Sequence, residues 1–187
     1  MAAISGVSNP LSGTVIQVDG ILNEWNGVTS FGADPADSSG INSIDWAEAT
    51  IVHDDTDFYI GYRNHGPADE NWGYGIFIDV DGNTNTGFKG FSGEFPIGAD
   101  YLIEGRVAQR YTGTGTNWSW EEIGNTGYAI NGDTAELAVP RSLLGNPATL
   151  RLFFSGNNAA VGGDTVCLLY TSPSPRDATL SRMPSSA

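Results

Sequence analysis

Apolar positions along most of this chain alternate with polar ones in short runs broken by Gly, Asn and Asp. Phe58, Ile60 and Tyr62 alternate with Tyr59, Gly61 and Arg63, and Ala135, Leu137 and Val139 alternate with Glu136 and Ala138. A period of two puts one set of side chains on a buried face and the other toward water, as in antiparallel strands with one wet face. No stretch sustains the helical period for three turns, so the pattern predicts an all-β domain. The expected strands are Thr14–Val18, Ala47–His53, Asp57–Arg63, Gly73–Asp79, Ala99–Gly105, Val107–Tyr111, Trp118–Ile123, Gly127–Ile130, Thr134–Val139 and Leu150–Ser155. This number predicts two packed antiparallel sheets, a jelly-roll-like β-sandwich. Ile76, Phe77 and Ile78 run without a polar break, which predicts a strand covered on both faces near the middle of a sheet. Asp54-Asp55-Thr56 and Asn131-Gly132 predict tight hairpins, and Pro140 to Gly145 offers one helical turn.

The unbroken apolar strand delivers Asp79 into a loop of oxygen-bearing side chains. Asp79, Asp81, Asn83 and Asn85 recur at every second position, and Asp100 and Glu104 follow beyond the loop. A hard cation such as calcium takes about six to eight oxygens, so this spacing predicts a calcium loop. It is not a helix-loop-helix calcium hand: Gly82 comes too early, Gly90 stands where the bidentate Glu belongs, and strands flank the loop. Asp-Gly and Asn-rich runs also make long hairpins with no metal, and that reading stays open at this level. Asp34, Asp37 and Asp45 form another acidic grouping, read as a solvated loop with a strand cap.

Charge narrows the partners. The 187 residues carry a formal net charge of -14, and Lys89 is the single lysine. A phosphate backbone needs a basic footprint, so nucleic acid is excluded as an expected partner. No apolar run reaches the length of a membrane-spanning helix, so no membrane insertion is expected. Residues Cys167–Asp177, CLLYTSPSPRD, resemble the translation of a sequencing adapter, and SRMPSSA at the terminus fits the same origin. The expected organisation is therefore a leader or linker remnant at 1–12, a β-sandwich module at 13–166 truncated at its last strand, and read-through at 167–187. With the tail goes Cys167, the only cysteine, and with it any disulfide or thiolate site.

Several segments then fall in a recognisable order: VDGILNEW from Val18, HDDTDFYIGYRN from His53, GIFIDVDGNTNTG from Gly75, GADYLIEG from Gly98 and AELAVPRSLLG from Ala135. Together they resemble the family 9-like carbohydrate-binding modules and DOMON-like β-sandwich domains of exported proteins, over Gly13 to Val166. The resemblance implies a noncatalytic, calcium-bound module of a secreted or cell-surface protein. It carries structural calcium onto Asp79, Asp81, Asn83 and Asp100. It implies a polysaccharide or oligosaccharide as partner and a monomeric module.

Aromatic residues supply the candidate sugar contacts. Trp118 and Trp120 are two apart on an expected strand, which would put coplanar indoles on one face about 7 Å apart. Trp72, near a sheet end, is the third candidate. Indole faces suit the apolar side of a pyranose, although large aromatics also fill cores. An extracellular structural or adhesive domain needs the metal and no sugar. Haem would want an axial Met or His pair, and the two methionines lie at the chain ends. No nucleophile elbow, zinc-protease helix or phosphate loop appears, so an enzyme is not expected.

Overall fold

The computed structural model describes residues 4–6, 15–28, 34–36, 45–69, 74–158 and 162–170. These form strands β1 (Ile4–Gly6), β2 (Trp46–His53), β3 (Asp57–Asn64), β4 (Tyr74–Asp79), β5 (Tyr101–Glu104), β6 (Val107–Tyr111), β7 (Trp120–Asn125), β8 (Gly127–Asn131), β9 (Thr134–Pro140), β10 (Leu150–Asn158) and β11 (Gly162–Tyr170). A seven-stranded sheet runs β1-β11-β10-β4-β5-β6-β7, and a four-stranded sheet runs β2-β3-β9-β8. The pairings are antiparallel except β1 with β11. The molecule is an all-β sandwich, as the alternation predicts. β11 pairs with β10 along its whole length, from Gly162 to Tyr170, and so crosses position 166.

The core between the sheets takes Ile76 and Ile78 of β4 with Leu152 and Phe154 of β10, against Ile51, Phe58, Ile60, Leu137 and Val139. Phe77, with the opposite parity, packs on the outer face against Phe88, Ile97, Leu102 and Phe153. β4 is the fourth of seven strands, so the unbroken apolar run is covered on both faces. The loop between β4 and β5 provides the outer cover, by folding Phe88, Phe95 and Ile97 back onto the sheet.

Three local expectations change. Residues 15–18 of the expected strand Thr14–Val18 are not in a sheet, and Ile16 packs instead with Trp25 and Val52 on the outside of the four-stranded sheet. Side chains take the place of ladder partners there, since the Gln17 and Asp19 N–H groups donate to Glu24 and Glu136. Glu136 stands on the face expected to be wet yet is fully buried, because the segment at 15–28 covers it. The expected strand Trp118–Ile123 begins two residues later, at Trp120. Arg141–Leu144 forms the single helical turn and stops at Gly145, whose φ of 76° is the left-handed cap conformation.

Candidate functional site

Asp79 is the last residue of β4, and the pairing of Ile78 with Tyr101 brings it beside Asp100 at the start of β5. The Asp100 N–H donates to the Ile78 carbonyl at 2.8 Å, and the Val80 N–H donates to Asp100 Oδ2 at 3.0 Å. Asp81 then joins, and Asp79, Asp81 and Asp100 each offer a carboxylate oxygen within 4.8 Å of the others. The loop is built to hold this arrangement. Asp79 Oδ1 accepts the Gly82 N–H at 2.6 Å, and Gly82 has a φ of 69° that favours glycine. Asp81 accepts from the Asn83 N–H at 2.7 Å and from the Thr86 hydroxyl at 3.0 Å.

Further along, the two arms of the loop touch backbone to backbone. A Cβ at Gly98 would lie 2.1 Å from the Thr86 carbonyl oxygen, and one at Gly87 would lie 2.5 Å from the Gly98 carbonyl carbon. Phe88 and Ala99 exchange two backbone hydrogen bonds just beyond this crossing. The carboxylates therefore sit below a pinched throat.

Asp79 is 0% exposed, and its Oδ2 has no hydrogen-bond donor among the described residues. Arg151 Nη1, placed opposite by the β10–β4 register, is 3.8 Å away. That distance gives Coulombic attraction without a hydrogen bond. Burial pushes the Asp79 carboxyl up from its ordinary range, against the pull of the Gly82 N–H and Arg151. Burial also pushes Asp100 up, with Asp81 and Asp79 as repelling neighbours. A desolvated carboxylate short of donors, as Asp79 is, is one a hard cation would stabilise, and with the oxygens of Asp81 and Asp100 beside it the donor set fits calcium.

The remaining candidates divide. Asn83 lies in the same loop, exposed, with its side-chain oxygen accepting the Asn85 N–H at 3.0 Å. Glu104 is at the far end of β5, about 10–13 Å from Asp100 along the strand, and accepts from Gln109 Nε2. It is no member of the cluster. Asp45 is buried and Asp34 half-buried, whereas Asp37 lies outside the described residues. Trp72 also lies outside them.

Trp118 and Trp120 are neighbours at 5.6 Å but meet at 67°, edge to face and not coplanar. Trp118 precedes the strand, so the period of two does not govern its direction. Trp120 is half-buried against Phe77, Phe88 and Tyr111. Trp118 is 44% exposed and stacks on Phe91, which is 67% exposed, at 5.5 Å and 19°. The Lys89 N–H holds the two loops together by donating to the Gly115 carbonyl at 3.0 Å. Phe91 was not singled out by sequence; its signal is one Phe between Gly90 and Gly93, both at a φ of 80°, in a segment whose other phenylalanines pack inward.

A second acidic group that spacing does not reveal joins Asp19 and Glu24 of the covering segment to Glu136 of β9. Glu136 accepts the Asp19 and Gly20 N–H groups at 2.9 and 2.7 Å and the Trp25 indole N–H at 2.6 Å. This carboxylate anchors the Asp19-Gly20 and Trp25 ends of the VDGILNEW segment to β9.

No family model, curated protein or solved structure matches this chain.

Proposed function

We propose that this domain is a noncatalytic, calcium-stabilised carbohydrate-binding module of a secreted or cell-surface protein. Asp79, Asp81 and Asp100 supply the carboxylates, and the exposed Phe91–Trp118 pair supplies the sugar-facing surface. The observation that carries the reading is the Asp79 oxygen, buried and without a donor among the described residues, inside a cluster of carboxylates. Burying such a charge is costly unless it is matched, and a divalent ion matches it. For the sugar, the support is that an aromatic pair stays in water although the adjoining outer core already holds Phe77, Phe88 and Phe95. Aromatic faces of this kind stack on the apolar side of pyranose rings.

A structural or adhesive domain with the same ion and no sugar is the second reading, favoured by Trp120 packing inward and leaving the aromatic surface small. Thermal unfolding of the full chain in chelator and after calcium is restored tests the ion. A calcium-reversible rise in Tm is expected, and an unchanged Tm would overturn the calcium site. Retention on insoluble polysaccharides, compared between the parent chain and Phe91→Ala with Trp118→Ala, then separates the two readings. Loss in the double variant supports the sugar surface, and no retention of the parent favours the structural domain.

A further inference from the structure

The carboxylate cluster opens on one side into a groove of about 340 Å³ at the ends of β4, β5 and β6. Val80, Asp81, Gly87, Asp100, Tyr101, Arg110 and Tyr111 line it. This volume is at the small end of the range of about 300–1,000 Å³ typical of ligand clefts. With one oxygen from each, the cluster's three carboxylates fall short of the roughly six to eight oxygens calcium takes, and Asp81 and Asp100 line the groove through which further oxygen ligands would enter.

Charge selects the class of ligand. A divalent ion with the cluster's carboxylates and Arg151 leaves the site near neutrality. Arg110 is already matched, by Glu121 at 2.6 Å. Among the described residues no positive charge in the groove is left uncompensated to call for an acidic ligand, and Val80, Gly87, Tyr101 and Tyr111 line the rest of it. A pair of adjacent hydroxyls provides neutral oxygens at the close spacing that one ion can bind together. We propose that the groove beside Asp81 and Asp100 receives the vicinal hydroxyl pair of a neutral sugar, whose oxygens complete the coordination of the bound calcium. This rests on the calcium reading and gives the module a contact separate from the Phe91–Trp118 pair.

The test uses the purified full chain on immobilised xylan and mannan, each intact or oxidised with periodate, which cleaves vicinal diols. Retention on at least one intact polymer in calcium is expected, with release by chelator and loss on the oxidised polymer. Arg110→Ala should weaken retention about fivefold and leave the calcium-induced rise in Tm intact, because Arg110 is exposed and outside the cluster. Retention that survives periodate or chelator would overturn the inference, as would no retention on either polymer. A parent chain whose Tm ignores calcium would instead remove the reading beneath it, so the two failures are distinguishable.

Discussion

Each sheet has beside it a cluster of three carboxylates, but the chain treats the two differently. In each, one member is completely buried: Asp79 in the loop after β4, and Glu136 in β9. Glu136 is saturated by three N–H donors from a single covering segment. Asp79 receives one N–H on Oδ1 and none on Oδ2 among the described residues. Crowded acids alone therefore do not mark a cation site; the supply of donors does. Where the backbone satisfies the carboxylate, the cluster is a fastening, and where it does not, a positive ion has something to do.

The largest effect should come from breaking the fastening. Glu136→Ala strands three donors, two of them in buried bonds, and each buried unsatisfied group costs about 1–3 kcal/mol, so a loss of about 2 kcal/mol or more in urea unfolding is expected. That loss should be the same in calcium and in chelator, since Glu136 is remote from the loop in the other sheet. A calcium-dependent loss would mean that the two clusters have exchanged roles. Asp79→Asn should do the reverse. It keeps an acceptor for the Gly82 N–H and removes a buried charge, so in chelator its stability should be close to that of the parent. Its cost should appear with calcium, where the parent gains about 2.7 kcal/mol at a hundredfold excess over Kd and the variant gains little.

Acidity sharpens the contrast further. Burial holds Asp79 and Asp100 above their ordinary values, so the ion-free folded state binds protons more readily than the unfolded chain does. Their contribution is fully present below the unfolded-state pKa and is lost as pH rises through the raised folded values. In chelator, Tm should fall across that window. The calcium-induced rise in Tm should grow across the same window, as the ion replaces the protons. A calcium effect that is flat with pH there would count against Asp79 and Asp100 as its ligands. Smallest of all, Phe91→Ala should change stability by about 0.5 kcal/mol or less, being an exposed site, while reducing polysaccharide retention.

The frame of the fold was legible because its signals are local. Alternation in β3 and the apolar run in β4 each report the faces that are covered. The Asp79 loop was legible because its acids lie close in sequence, and Asp100 follows from the hairpin that returns the chain. The period of two turns Glu136 toward solvent, whereas its cover comes from residues more than a hundred positions earlier. Gly20 shows the same limit: its φ of 85° and the 2.6 Å approach of a would-be Cβ to the Ile130 carbonyl carbon belong to a contact that periodicity does not encode. The period of two makes Trp118 and Trp120 coplanar only in a strand that includes both, and β7 begins at Trp120.

The crossing of Gly87 and Gly98 has a consequence for how this surface can change. Backbone contact and the Phe88–Ala99 pairing close the throat independently of the residues at the tip. Within the tip, Phe88, Phe95 and Ile97 are committed to the outer core, which leaves the exposed turn from Phe91 to Glu94 as a replaceable cassette. Selection, natural or by library, can rewrite what those four positions present while the acids beneath the throat stay in place.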